Sequence, residues 1–269
     1  MRKLFLCCIC SVFLFTSCDQ KEKLCKEAIK GFFKEVKNEN PIGMKRWYPD
    51  VEELLSYYKS DTIIIKSVKK DTADQYIAEV NNIFTNGFGR RFDRDITLFL
   101  KPTEDNSGMF IYDSQGMLGL SDNKEYAYAK RHGAIKAEHN TDVKLSSAIR
   151  AAMYEPYMTS LRIKEELSNG SIVQGKVNWV REYGAAKGNF IIKNTYNIKL
   201  HNLKYIVHFM TSSDGEEIAQ DDGYVKYGDL QPGESTSESF YKSFVGNAGW
   251  AKVTFSIDED DLWNAILEE

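Results

Sequence analysis

The period of the apolar residues switches repeatedly along this chain, and those switches constrain what it can fold into. From Leu24 the apolar positions Leu24, Ala28, Ile29, Phe32, Phe33 and Val36 recur at helical spacing, with lysines and glutamates on the opposite face. Pro41 and Gly43 are expected to end that helix. Asp50 can cap a second one, with Glu53 three residues on and Val51, Leu54, Leu55 and Tyr58 as its buried side. The spacing then falls to two. Thr62 to Val68 is β-branched, while Tyr76 to Thr85 and Phe92 to Leu100 alternate on either side of Asn86-Gly87, a strong hairpin signal. A further strand over Met109 to Tyr112 is expected to run through Asp113-Ser114-Gln115-Gly116 into Met117 to Leu120. Helices followed by an antiparallel meander predict an α+β layer with the helices packed on one face of the sheet.

Helical spacing returns in Glu125 to Lys136 and Thr141 to Leu167, where Pro156 should kink or break the second segment. Met153, Tyr154 and Tyr157 are more apolar than a solvated linker needs, so this stretch reads as a helical connector packed on its surroundings. From Ile172 the chain alternates again. The runs 172–180, 189–198, 203–211, 216–227, 236–244 and 250–257 are separated by turn chemistry such as Asp214-Gly215 and Pro232-Gly233. Several short strands in about 90 residues predict an all-β sandwich. Leu262, Trp263 and Ile266 would anchor a short acidic helix or tail at the end.

The first residues read as an address. Met1-Arg2-Lys3 is cationic, Leu4 to Phe15 is apolar, and Thr16-Ser17-Cys18 supplies small residues before a cut. The apolar run is shorter than the roughly 20 residues of a membrane span. Leu14-Phe15-Thr16-Ser17-Cys18 resembles the bacterial lipobox. That resemblance implies cleavage between Ser17 and Cys18, lipid attachment at Cys18, and a chain tethered to a membrane in the cell envelope, facing the periplasm or the surface. The expected organisation is a signal peptide over 1–17, a lipidated tether over 18–23, an α+β domain over 24–120, the connector over 121–169, the sandwich over 170–258 and the acidic helix over 259–269.

Two further resemblances concern the folded parts. The element order of 24–120 is similar to the cystatin-like and nuclear-transport-factor-two-like cones of exported bacterial lipoproteins. Asn194-Thr195, then Leu203 to Phe209, Asp214-Gly215 and Leu230-Gln231-Pro232-Gly233-Glu234-Ser235, resemble the FxLYD-type immunoglobulin-like modules of prokaryotic surface proteins, although the aromatic-x-Leu-Tyr-Asp string itself is missing. The implied fold of the second half is an immunoglobulin-like sandwich.

Charge and cysteine usage narrow the function. Without Arg2 and Lys3 the basic count falls from 35 to 33 against 39 acidic residues, a net charge of −6, which argues against a nucleic-acid partner. Of five cysteines, Cys7, Cys8 and Cys10 leave with the signal and Cys18 carries lipid, so Cys25 remains as a thiol. No intramolecular disulfide is expected. Domains of this size manage without such staples. Cys25 shares a helical stripe with Ile29, Phe32 and Val36 and reads as buried and inert.

Catalytic and metal-binding patterns are not legible. His132, His139, His201 and His208 lack ligand spacing, and the acidic runs at 214–223 and 258–261 lack the rhythm of a calcium loop. No nucleophile elbow, phosphate-cradling loop or His-Glu-x-x-His string occurs. No cofactor or metal is expected. Trp47, Tyr48, Tyr57 and Tyr58 leave room for a pocket between helices and sheet, with core packing as the competing reading. Asp113 and Glu79, on or beside the sheet strands, are the first candidates for a carboxylate tuned by burial in such a site. The expected function is a membrane-anchored, non-enzymatic binding or scaffolding module whose partner is an envelope protein or glycan. The alternative is a small-molecule or enzymatic pocket in the first domain.

Overall fold

A computed structural model describes residues 2–51, 57–72, 74–117 and 124–269, with side chains from Gln20 onward except that of Tyr227. Leu54 and Leu55 of the expected second helix, and residues 118–120 of the last expected meander strand, lie outside the described residues, as do the side chains of Ser17 and Cys18. The chain divides into two compact units, Met1–Ala151 and Ala152–Glu269. Both mix helices with antiparallel sheets. Among the described residues no helix is long and apolar enough to cross a membrane.

In the first unit α1 (Arg2–Lys37) buries Cys25, Ala28, Ile29, Phe32 and Phe33, the stripe that a 3.6-residue period places on one face. Burial, together with the nearby Glu22 carboxylate, pushes the Cys25 thiol up to about 12, so it rests as an inert apolar residue. The helix ends at Lys37, before either expected breaker. Pro41 instead opens α2 (Pro41–Trp47), where its missing N–H costs nothing, and Asn40 caps it by accepting from the Gly43 N–H at 3.2 Å.

The meander follows in sequence order: β1 (Lys59–Lys70), β2 (Tyr76–Thr85), β3 (Arg91–Pro102) and β4 (Met109–Gln115). Strand β1 reaches further in both directions than its β-branched centre, and β4 continues past a bulge at Tyr112 through Asp113 and Ser114, which pair with Phe99 and Leu98 of β3. One face presents Ala78, Val80, Ile96, Leu98, Leu100 and Ile111 to α1. Each of the valine, leucine and isoleucine side chains contributes about 1.5–3 kcal/mol when fully buried. Asn86 does mark the β2–β3 hairpin, but the loop runs over five residues, 86–90. Its side-chain oxygen accepts from the N–H groups of Phe88 (2.9 Å) and Arg90 (3.0 Å), and Gly89 rather than Gly87 takes the left-handed conformation.

The stretch expected to connect two domains is shared between the units. Helices α3 (Lys124–Arg131) and α4 (Asp142–Ala152) belong to the first, and α5 (Tyr154–Ser168) to the second. Gly133 at φ 70 ends α3. The break between α4 and α5 falls at Met153 because Pro156 cannot donate to the Ala152 carbonyl, whereas in the first turn of a new helix it has no such bond to make.

In the second unit β5 (Asn178–Glu182) and β6 (Ala185–Lys193) form a hairpin. β7 (Leu200–His201), β8 (Lys204–Met210), β9 (Glu217–Tyr224), β10 (Asp229–Leu230), β11 (Ser235–Lys242) and β12 (Trp250–Ser256) follow. They assemble as β11-β6-β5, β12-β8-β9 and the short pair β10-β7. The two three-stranded sheets meet through rings. Phe190 of β6 lies 5.2 Å from Tyr205 and 6.1 Å from Phe255, and Phe240 of β11 lies 5.7 Å from Phe209. Ile163 and Leu167 of α5 and Leu262 and Ile266 of α6 (Glu259–Glu268) complete the same core. The acidic run before α6 has a local cause: the Asp258 carboxylate accepts from the N–H groups of Asp260 (2.8 Å) and Asp261 (3.2 Å), capping the helix, and Glu259, Asp260 and Asp261 fill its first turn.

Candidate functional site

The four aromatic residues expected near a pocket separate into two places. Trp47 lies over Gly31 so closely that a Cβ there would come within 2.4 Å of the indole. Tyr48 is buried against Phe32 (5.9 Å), with its hydroxyl 3.3 Å from Ser114 Oγ. Both are parts of the core between α1, α2 and the meander. Tyr57 and Tyr58 stand in the turn just before β1, ring against ring at 4.9 Å, and Tyr58 continues onto Phe84 and Phe92.

Around these two tyrosines the chain gathers a polar cluster. Glu125 of α3 is 2% exposed. It accepts from the Tyr58 hydroxyl at 2.9 Å and from Asn86 Nδ2 at 3.1 Å. The Tyr57 hydroxyl lies against this carboxylate without a hydrogen bond of standard geometry among the described residues. Burial first, then the negative charge of Glu125, raises the Tyr57 phenol above its ordinary range, with Arg150 of α4 opposing. A Cβ on Gly87 would meet the Tyr57 ring at 2.6 Å and Arg150 Nε at 3.0 Å, so the hairpin backbone closes the cluster from one side. The arrangement ties the β2–β3 hairpin to α3 and to the start of β1. Tyr57 is itself 2% exposed, so the cluster is sealed.

Glu79 and Asp113 do not converge on it. Glu79 accepts from Thr97 Oγ1 at 3.3 Å on the other face of the sheet, and exposed Asp113 accepts from its neighbour Ser114 N–H at 2.8 Å. In the second unit His208 stands 2.5 Å from Glu217 Oε2 through Nδ1 and 2.8 Å from Thr254 Oγ1 through Nε2. This acid–imidazole–hydroxyl order straps β9, β8 and β12 together and holds the Glu217 carboxyl below its usual range, chiefly through the His208 bond. Among the described residues, no group of three or more histidine, cysteine, aspartate or glutamate side chains could hold a metal ion.

Sequence reasoning passed over the residues that stand out most. Tyr183 and Gly184 form the two-residue β5–β6 turn with φ 51 and 80, the positions where Asn-Gly is ordinarily found. Phe244, after β11, has φ 61. Left-handed backbone costs a residue with a Cβ roughly 1–2 kcal/mol, and no burial offsets it here, since Tyr183 is 105% and Phe244 90% exposed. The two sites are joined: Val245 N–H donates to the Gly184 carbonyl at 2.9 Å, and Arg181 Nη1 donates to the carbonyls of Gly246 and Ala248, both at 3.1 Å. Two rings are thus held out into solvent on adjoining, mutually clamped loops. The only sign in the sequence was an aromatic where a turn prefers asparagine. No protein-family model matches the chain, and neither does any curated protein.

Proposed function

We propose that this chain is a lipid-anchored, non-enzymatic binding module of a bacterial cell envelope, presenting an immunoglobulin-like sandwich as its second unit. The observation that carries the binding role is the pair of clamped, solvent-exposed rings Tyr183 and Phe244, because rigid aromatics presented at a backbone cost are suited to holding a partner with little further loss of entropy. The sandwich reading is supported by the ring contacts between β11-β6-β5 and β12-β8-β9. It is also supported by Asn194, buried beside the Pro232-Gly233-Glu234 turn that belongs to the immunoglobulin-like resemblance. The anchor rests on Leu14 to Cys18. Acyl chains contribute about 0.8 kcal/mol per buried methylene, so two or more hold a protein at a membrane almost irreversibly.

The test is palmitate labelling with membrane fractionation. The native chain should take up label and sediment with membranes, and Cys18→Ala should do neither. Unchanged labelling of Cys18→Ala overturns the anchor.

A further inference from the structure

Beyond the two ring-bearing loops, the sheet β11-β6-β5 turns an open face to solvent. Its register places Val180, Lys187 and Tyr241 in one cross-strand row and Asn178, Asn189 and Ser239 in the next, all of them exposed. A row that carries the Tyr241 ring therefore lies beside a row of uncharged donors and acceptors. Lys187, in the same row as Tyr241, pairs with Glu182 at 3.0 Å, and Arg181 donates to the carbonyls of the neighbouring loop.

We infer that this face, with Tyr183 and Phe244 at its end, is a docking platform for a neutral glycan chain. A pyranose ring has an apolar C–H face and a rim of hydroxyls. The first matches a flat aromatic ring, and the second matches amide and hydroxyl side chains that can donate and accept at once. Tyr241 and Tyr183 supply ring faces. Asn178, Asn189 and Ser239 take the hydroxyl rim. The rigid clamp between the loops means that little ordering remains when the chain docks. This inference rests on the reading of a non-enzymatic binding module and names its ligand class.

The experiment is affinity electrophoresis of the full-length chain in gels that each hold one soluble polysaccharide: a β-glucan, an α-glucan, a xylan or a galactomannan. At least one should retard the protein. Tyr241→Ala and Phe244→Ala should each weaken that retardation tenfold or more, with the melting temperature unchanged. Tyr183→Asn should weaken it as well while raising the melting temperature, because asparagine suits the turn and lacks the ring. That opposition separates a binding role from a structural one. Absence of retardation in every gel overturns the inference, as does retardation that these variants leave intact. Ring-dependent sedimentation with phospholipid vesicles in place of polysaccharide binding overturns it too. Lipid labelling at Cys18 is read separately, so failure of the anchor and failure of the platform are distinguishable.

Discussion

Asn194 donates from Nδ2 to the Leu230 carbonyl oxygen at 3.0 Å, joining the end of β6 to β10 across 36 residues. The same amide donates to the Ile198 carbonyl at 2.8 Å, and its oxygen accepts from the Tyr196 N–H at 3.0 Å. Its side chain is fully buried, so truncation would strand three backbone groups away from water. Asn194→Ala should lower stability by about 3 kcal/mol, read as a drop in the denaturant midpoint. Asn194→Asp should be no better, because a carboxylate cannot donate to the two carbonyls. A loss below about 1 kcal/mol would mean that solvent reaches this turn.

Alkaline pH should act through Tyr57. Its phenol is raised in the folded state by burial and by Glu125, so the folded protein prefers the protonated form. That preference contributes fully below the ordinary value of 10.0 and is lost as pH rises beyond it. Tyr57→Phe should flatten this alkaline loss. Tyr58→Phe removes the 2.9 Å bond to Glu125 and should cost about 1–2 kcal/mol at neutral pH. Equal alkaline slopes for the native chain and Tyr57→Phe, measured by thermal melts between pH 8 and 11, would sink the assignment.

Gly31→Ala should expel the Trp47 indole. The added methyl would overlap ring atoms at 2.4 and 2.5 Å, and neither the helix nor α2 can retreat without opening the core they share. A red shift of tryptophan emission that is absent in a Trp47→Phe background, with a loss of about 1–3 kcal/mol, is the expected result.

The element order of the first unit is legible because its periods are marked: burial alternates from Tyr76 to Val80, and although it slips at Asn81 and Phe84, Tyr76 to Thr85 is strand β2 from end to end. Short elements are not. Leu200 and His201 pair with Leu230 and Asp229 through two residues each, too few for any period, and Asn194 holds that pairing from outside it. Breaker residues were legible as punctuation and misleading as to place. Pro41 starts a helix where a stop was expected, and Pro156 sits inside a first turn because the break comes three residues earlier. The Glu125 cluster was hidden for a different reason. Its partners stand 39 and 67 residues away in sequence, so no local spacing relates them. Tyr183 and Phe244 belong to no periodic pattern, and their interest comes from backbone angles that composition does not encode.

Helices α5 and α6 meet at the core of the second unit, and Lys164 pairs with Glu259 across 95 positions of chain. Every strand of both sheets lies between those partners. Closing so long a loop is entropically slow, and its reward comes only after the strands between have found their register. The second unit should therefore reach its native state late and all at once, with the helix pair as the final latch. A fragment cut after Ser168 would keep the strands and lose Ile163 and Leu167 from the core, leaving the apolar inner faces of the sheets open to association with other chains during the slowest step of folding.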